Sequence, residues 1–423
     1  MIRRLFHNKI FENVSALFVL QIANYVLPLL TFPYLVRVLG TGNFGVLAFS
    51  SAFIQYFVVI TDYGFNLSAT RDVSINRYNR DKLSKIFTNV LLIKSIIAVI
   101  SFVAVYILTR LIYKFGEYSA VYYLTCLAIL GNVLFPVWFL QGLEKMKAVA
   151  LINITVRILS TVLIFMMVKT VNDLKLAVLF LNGTVLLSGL VSIILIRRMD
   201  IVDLVKPSIK SVRDLLAGGW AIFISSLAVS LVGNTNIFLL GVLTTDYKYV
   251  GIFSIAQKIV WAFANMVVPV ANAIFPRVGL LFKQNKYQAL KLLKKVYLFA
   301  LPVFVGMFLV LLFGSDILVK IVAGENNKLI SVAIKIMSII PLLILTDNIY
   351  GMQIMLNNGM EKKFMFIYLL SSVVLIVSAI ALIPSYKSTG ASISMLLTEI
   401  FVLFYLYKSV VKKGINVFAC SYR

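Results

Sequence analysis

The chain has 423 residues, of which 61% are hydrophobic and only 13% are charged. Soluble domains carry about 25% charged residues, so this composition excludes a soluble globular protein, a disordered chain and a disulfide scaffold. The apolar residues form unbroken runs instead of alternating, which argues against an outer-membrane barrel. The net charge of +24 fits membrane-protein loops better than nucleic-acid binding. We therefore expect an all-α integral membrane protein with no nucleic-acid partner.

The apolar runs predict about twelve membrane-spanning helices, because each span needs roughly 20 apolar residues. The basic start of the chain leads into the first run without a small-residue cleavage site, so we expect an uncleaved first span. We place the spans at residues 14–36, 44–66, 86–109, 119–140, 148–168, 176–196, 214–240, 250–274, 297–313, 331–355, 365–384 and 390–408.

The Lys and Arg residues between these spans predict the orientation. With the N-terminus inside, 27 of the 40 cations fall in inside segments and 9 fall in outside segments. Because cytoplasmic loops collect positive charge, this bias predicts that both termini are cytoplasmic. No loop is long enough to fold as a domain, so the function must reside in or beside the helix bundle.

The two halves of the sequence resemble each other weakly. Landmarks recur at an offset of 206 residues, and a later motif recurs at a slightly larger offset. The pairs are Gly45 and Gly251, Arg71 and Arg277, Lys85 and Lys291, and the segments GLEK at 142–145 and GMEK at 359–362. We expect two pseudo-symmetric six-helix lobes, residues 1–200 and 201–423, which enclose a central cleft and open it alternately to the two sides.

Signatures of enzymes and motors are absent from the sequence. It contains no P-loop, no HExxH motif and no GxSxG motif. Its one histidine is His7, and its two cysteines, Cys126 and Cys420, lie far apart. We therefore expect a transporter and no enzyme, with no cofactor, no catalytic residue and no metal site.

Charged residues inside the predicted spans are the candidates for function, since a charge in the bilayer usually faces a cavity or a partner. One interpretation is a cationic, hydrated cleft for an anionic substrate; the other is that these ions pair with each other. The carboxylates could also carry a coupling proton or sodium ion. The cations are Arg157, Lys258, Lys94 and Lys335, and the carboxylates are Glu399, Asp347 and Asp62.

Several spans also combine amides with helix-breaking prolines, which suits a cleft that bends and donates hydrogen bonds to sugars. Ordinary interhelical packing is the alternative interpretation. The candidates are Gln21, Asn24, Asn234, Asn265 and Asn272.

Six segments together resemble the polysaccharide-exporter branch of the multidrug/oligosaccharidyl-lipid/polysaccharide (MOP) superfamily, and in particular Wzx-type O-antigen flippases. They are NVSALFVLQIANYVLPLLTFPYLVRVLG, TGNFGVLAFSSAF, DYGFNLSATRDVS, FPVWFLQGLEKMK, GIFSIAQKI and NNGMEKK. The resemblance implies a 12-span protein of the bacterial inner membrane. Such proteins move an undecaprenyl-diphosphate-linked oligosaccharide from the cytoplasmic to the periplasmic leaflet.

The resemblance also implies exchange against a proton or another cation, and partnership with membrane lipids, a polysaccharide polymerase and a chain-length regulator. Several alternatives remain open. A MATE-like drug/cation antiporter would want a carboxylate in the first span, where this chain has Gln21 and Asn24. A lipid II flippase usually has fourteen spans. A major-facilitator transporter would show a Gly-x-x-x-Asp-Arg-like turn, and a membrane glycan polymerase would need longer outside loops.

Overall fold

The fold is helical throughout the part of the chain that the structure describes. The computed structural model describes the backbone of residues 2–415 and the side chains of residues 27–227 and 230–415. These residues form two compact units that divide between Ser230 and Leu231. The predicted all-α class is thereby confirmed.

The first unit contains the helices before the division. They are α1 (Ile2–Asp62), α2 (Phe65–Ile75), α3 (Arg80–Leu111), α4 (Tyr113–Gly116), α5 (Ser119–Thr125), α6 (Leu127–Leu134), α7 (Val137–Gly142), α8 (Met146–Met167), a 3₁₀ turn (Val171–Asp173) and α9 (Leu174–Arg198). Helix α10 (Ile209–Leu243) runs across the division between the units.

The second unit contains the remaining helices. They are α11 (Tyr247–Ala264), α12 (Val267–Gln284), α13 (Lys286–Phe313), α14 (Ser315–Ala323), α15 (Lys328–Met337), α16 (Ile340–Asp347), a π-helix (Asn348–Met355), a 3₁₀ turn (Leu356–Asn358) and α17 (Glu361–Val411).

The number of membrane crossings follows from helix length. Among the described residues, nine helical stretches are long and apolar enough to cross a membrane, and the bent helix α10 makes a tenth. Helices α1 and α17 have 61 and 51 residues, too many for one crossing of roughly 20 residues. Each contains a non-helical residue, Gly40 (φ 74°) and Lys387 (φ 50°). Counting each as two spans gives the predicted twelve.

Contacts within α1 and α17 show that the chain reverses direction at these two residues. The rings of Phe32 and Phe44 have centroids 5.6 Å apart, whereas a straight helix would separate them by about 18 Å. The hydroxyls of Ser378 and Ser394 lie 2.7 Å apart, against about 24 Å in a straight helix. The predicted loops at 37–43 and 385–389 therefore lie where the spans turn back.

The internal repeat is visible at equivalent helix starts. The side chain of Asn79 accepts a hydrogen bond from the Lys82 N–H at 3.0 Å and caps α3. The side chain of Asn285 accepts one from the Gln288 N–H at 3.1 Å and caps α13. The two caps are separated by 206 residues, the offset predicted from sequence. An N-cap side chain satisfies a backbone donor at the same place in both six-helix halves.

Helices α6 and α9 approach closely because glycine stands at their contact. A Cβ atom at Gly189 would lie 2.7 Å from the Leu134 Cβ and 3.2 Å from the Gly131 carbonyl oxygen. A Cβ atom at Gly131 would likewise lie 2.6 Å from the backbone carbonyl carbon of Val185. Small residues at such contacts allow membrane helices to pack backbone to backbone.

Replacing Gly189 by alanine is therefore expected to destabilise the protein by about 1–3 kcal/mol, because the new methyl group overpacks the contact. Thermal unfolding of the purified protein measures the effect. Gly183→Ala, on the same helix, is the matched control, since its Cβ would lie 3.6 Å from Leu179 Cδ1, an ordinary contact. Equal melting temperatures for the two variants would contradict this account of the α6–α9 contact.

Candidate functional site

The intramembrane cations occupy three kinds of environment, and Lys94 lies in the most buried one. Its side chain is 1% exposed on α3. The Nζ atom donates to Asp62 Oδ1 at 3.2 Å and to the Asn132 carbonyl oxygen at 3.0 Å. Asp62 closes α1 and keeps 15% of its side chain exposed. The structure thus brings two predicted site residues together as an ion pair, the alternative interpretation considered from sequence.

Arg157 and Lys258 are both exposed, but their surroundings on the helix differ. Arg157 lies on α8 next to exposed Ile158 and Leu159, whereas Lys258 lies on α11 between buried Gln257 and Ile259. They belong to different units. A residue that lines a hydrated cleft must reach the surface of its own unit, and both residues meet that requirement.

Lys335 lies near the end of α15 and is also exposed. Its Nζ donates to Asp316 Oδ2 at 3.4 Å. A hydrogen bond from Ser331, together with Lys335, holds the pKa of the Asp316 carboxyl below its ordinary value. This arrangement is a partly solvated ion pair, which contributes little to stability and leaves Lys335 oriented by its carboxylate partner.

Asp347 and Glu399 form a second association of predicted residues, inside the second unit. Their side chains are only 7% and 8% exposed, and the two carboxyl groups interact electrostatically. Asp347 Oδ1 has no hydrogen-bond partner among the described residues. Buried like charges are unfavourable unless a proton or cation neutralises them.

The backbone directly after Asp347 is unusual, and the sequence did not predict it. Residues Asn348–Met355 form a π-helix, a conformation that is rare and often found at functional sites. Gln353 is fully buried there; its Nε2 donates to the Ala271 carbonyl oxygen at 3.0 Å, and its Oε1 has no partner among the described residues. The amides of Asn348 and Gln353, two polar residues in an apolar run, were the available signal.

The amide candidates are dispersed. Asn265 follows the last residue of α11 and separates it from α12, which confirms a helix break in this span. Asn272 is exposed on α12, and Asn234 is half-buried on α10. The side chains of Gln21 and Asn24 lie outside the described residues.

Two segments that carry the family resemblance pack against each other in the first unit. The Thr70 hydroxyl in α2 donates to the Trp138 carbonyl oxygen in α7 at 3.1 Å. A Cβ at Gly142 would lie 2.6 Å from Val73 Cγ1. These residues of DYGFNLSATRDVS and FPVWFLQGLEKMK therefore contribute to the contact between α2 and α7.

Residues 199–208, the connection between α9 and α10, are fixed to the side of α3. Arg80 donates to Asp200 at 2.7 Å and to Asp203 at 2.9 Å. Three backbone N–H groups of the connection donate to side chains of α3. The pairs are Asp203 with Ser84 at 2.9 Å, Val205 with Thr88 at 3.2 Å, and Ser208 with Asn89 at 3.2 Å. The connection thus belongs to the first unit, and sequence analysis did not identify these contacts.

Solved membrane proteins share this fold. A lipid II flippase, MurJ, in an inward closed conformation matches with a TM-score of 0.74 at 14% identity, over 95% of this chain and 87% of its own. An inward-facing multidrug resistance MATE family transporter of the MOP superfamily matches with a TM-score of 0.67 at 17% identity, over 95% of this chain and 100% of its own. At these identities the likeness shows the fold alone, a helical fold that the chain shares with these two membrane proteins.

Sequence similarity identifies the family. A family model described as polysaccharide biosynthesis protein matches residues 10–282. A protein of Escherichia coli (strain K12) with the provisional name O-antigen transporter is 34% identical over 92% of this chain and 94% of its own. A protein of Shigella dysenteriae with the same provisional name is 29% identical over 94% of this chain and 99% of its own. The chain belongs to this polysaccharide biosynthesis family, as the sequence resemblance indicated.

Proposed function

We propose that the protein is a flippase that moves an undecaprenyl-diphosphate-linked oligosaccharide from the cytoplasmic to the periplasmic leaflet of a bacterial inner membrane. The observation that carries the proposal is the 34% identity, over nearly the full length of both chains, to a relative named as an O-antigen transporter. The twelve spans and the absence of catalytic motifs support a transporter that is not an enzyme.

The proposed mechanism is alternating access by two six-helix lobes. An even number of spans per half gives two lobes inserted with the same orientation, an arrangement used by transporters that rock about a central site. Arg157 and Lys258 supply positive charge to the lipid diphosphate, because charge-assisted hydrogen bonds to phosphate oxygens are the strong ones. Lys94 contributes structure instead, since it is already bound to Asp62.

The proposal includes coupling to a proton or sodium gradient through Asp347 and Glu399. Their burial and mutual repulsion favour binding of a neutralising ion. Asp347 ends α16 directly before the π-helix, and Glu399 lies in the second half of α17. Ion release can change how these helices pack. Asp62 is a weaker candidate, because Lys94 neutralises it in place.

The charge bias of the loops supports a cytoplasmic location for both termini. With this orientation, substrate comes from the cytoplasmic leaflet, where lipid-linked repeat units are built, and the polysaccharide polymerase and chain-length regulator receive it on the other side. A MATE-like drug/cation antiporter is the second candidate. The buried acidic pair favours it, and the net charge of +24 argues against a cationic substrate.

Complementation of a deletion strain tests the proposal in cells. We expect deletion to abolish surface polysaccharide and the wild-type gene to restore it. Arg157→Ala and Lys258→Ala, expressed at equal levels, should restore less than a tenth, because each removes a charge that holds the diphosphate. Lys147→Ala and Lys248→Ala are matched controls, exposed lysines ten residues earlier on the same two helices. Surface polysaccharide that persists after deletion would contradict the flippase role. Full function of both Arg157→Ala and Lys258→Ala would contradict the proposal that these two residues bind the diphosphate.

A further inference from the structure

A cavity of about 700 Å³ lies in the second unit where α17 both begins and ends. It is open on one side and lies at the ends of the two spans that α17 contributes. Neither Asp347 nor Glu399 lines it. Its lining consists of Gly359, Met360, Glu361, Lys362, Lys363, Ser409, Lys412 and Lys413. Because α17 reverses at Lys387, its first and last turns meet at the same face of the unit.

The fold holds the two walls of this cavity together. Met360 and Ile415 are 6% and 2% exposed and belong to the same hydrophobic cluster. Lys413 Nζ donates to the Asn358 carbonyl oxygen at 3.4 Å. Gly359 adopts a left-handed conformation (φ 67°) and ends the preceding 3₁₀ turn, and the space where its Cβ would stand is open. The lysines are therefore gathered by tertiary structure and are not merely adjacent in sequence.

The charges of the lining select an anion. Four exposed lysines face one carboxylate, that of Glu361, so the cavity carries an excess of three positive charges. The first turn of α17 has no side-chain cap, and its free N–H groups add the positive end of a helix dipole. Ammonium groups gathered this way repel one another unless an anion with more than one acceptor oxygen lies between them.

The position of the cavity selects the kind of anion. The ends of two membrane spans lie at the level of the lipid headgroups. Basic pockets between such helix ends bind phosphate-bearing headgroups. We propose that this four-lysine cavity is a binding site for a lipid phosphate headgroup, supplied either by an anionic phospholipid of the bilayer or by a prenyl diphosphate. The inference holds whether or not the protein is a flippase.

Binding of two soluble probes to the full-length protein tests the proposal. The probes are dioctanoyl phosphatidylglycerol and farnesyl diphosphate, with dioctanoyl phosphatidylcholine as the zwitterionic control. The titrations use protein carrying Arg157→Ala and Lys258→Ala, so that the proposed transport site does not contribute. Onto this background we place Lys362→Gln, Lys363→Gln, Lys412→Gln and Lys413→Gln together. The matched control removes the same charge from four exposed lysines of the same unit, Lys283, Lys286, Lys291 and Lys295.

We expect the cavity variant to bind the preferred anionic probe at least tenfold more weakly, and the control variant to bind it within twofold of its parent. The probe that binds tighter identifies the source, phospholipid or prenyl diphosphate. Arginine in place of the four cavity lysines should retain binding, which separates loss of charge from loss of the Lys413 hydrogen bond. Equal weakening in the cavity and control variants, or no weakening in either, would overturn the proposal, and neither result bears on transport.

Discussion

Lys94→Met is expected to be among the most destabilising single substitutions in this protein. It removes one partner of a buried ion pair and leaves the Asp62 carboxylate without its cation, and such losses cost about 3 kcal/mol or more. The Asn132 carbonyl oxygen loses its donor as well. Because 15% of the Asp62 side chain is exposed, we expect the loss of unfolding free energy to be close to about 3 kcal/mol. Chemical or thermal unfolding of purified protein measures it.

Two further variants distinguish loss of the Lys94–Asp62 ion pair from the general effect of removing a lysine charge. Asp62→Asn combined with Lys94→Met leaves no unpaired charge, so we expect it to recover more than half of the lost stability. Lys85→Met removes an exposed lysine from the same helix and should change stability by less than about 0.5 kcal/mol. A double variant no more stable than Lys94→Met would show that the pair is not the source of the effect.

Neutralising the acidic pair is expected to have the largest effect on transport. In proteoliposomes, Glu399→Gln and Asp347→Asn should each remove the dependence of transport on an imposed proton or sodium gradient. The reason is that an amide cannot take up a proton near neutral pH and carries no negative charge to bind a sodium ion. A tenfold loss in the driven rate corresponds to about 1.4 kcal/mol, and we expect at least that.

Glu325→Gln is the control for this experiment, because Glu325 is an exposed carboxylate of the same unit. It should transport at the wild-type rate and keep the gradient dependence. The two possible ions are distinguished by imposing each gradient separately. If Glu399→Gln and Asp347→Asn both respond to the gradient as the wild type does, the coupling site lies elsewhere.

Properties that depend on local sequence were predictable. The spans were placed from apolar run length, and the turns at Gly40 and Lys387 fall between predicted spans. The repeat was found from landmarks such as Arg71 and Arg277, and the structure adds equivalent helix caps at Asn79 and Asn285. These features follow from hydropathy and backbone chemistry, which act over a few residues.

Pairing between distant residues was not predictable. The sequence offered three intramembrane carboxylates as possible partners for the cations, and only packing brings Lys94 to Asp62, 32 residues away. Arg80 reaches Asp200 and Asp203 because residues 199–208 lie along α3. The π-helix after Asp347 has only a weak local signal, the amides of Asn348 and Gln353 in an apolar run.

The most direct test of the account is transbilayer movement of a defined substrate by purified protein in liposomes. One set of vesicles contains a fluorescent undecaprenyl-diphosphate-linked oligosaccharide, and a second set reports uptake of a cationic dye. We expect wild-type protein to move the lipid-linked oligosaccharide across the bilayer. Uptake of the dye should be no faster than in vesicles without protein. Arg157→Ala with Lys258→Ala should be at least tenfold slower, whereas Lys147→Ala with Lys248→Ala should match the wild type. Transport of the cation without movement of the glycolipid would contradict the account.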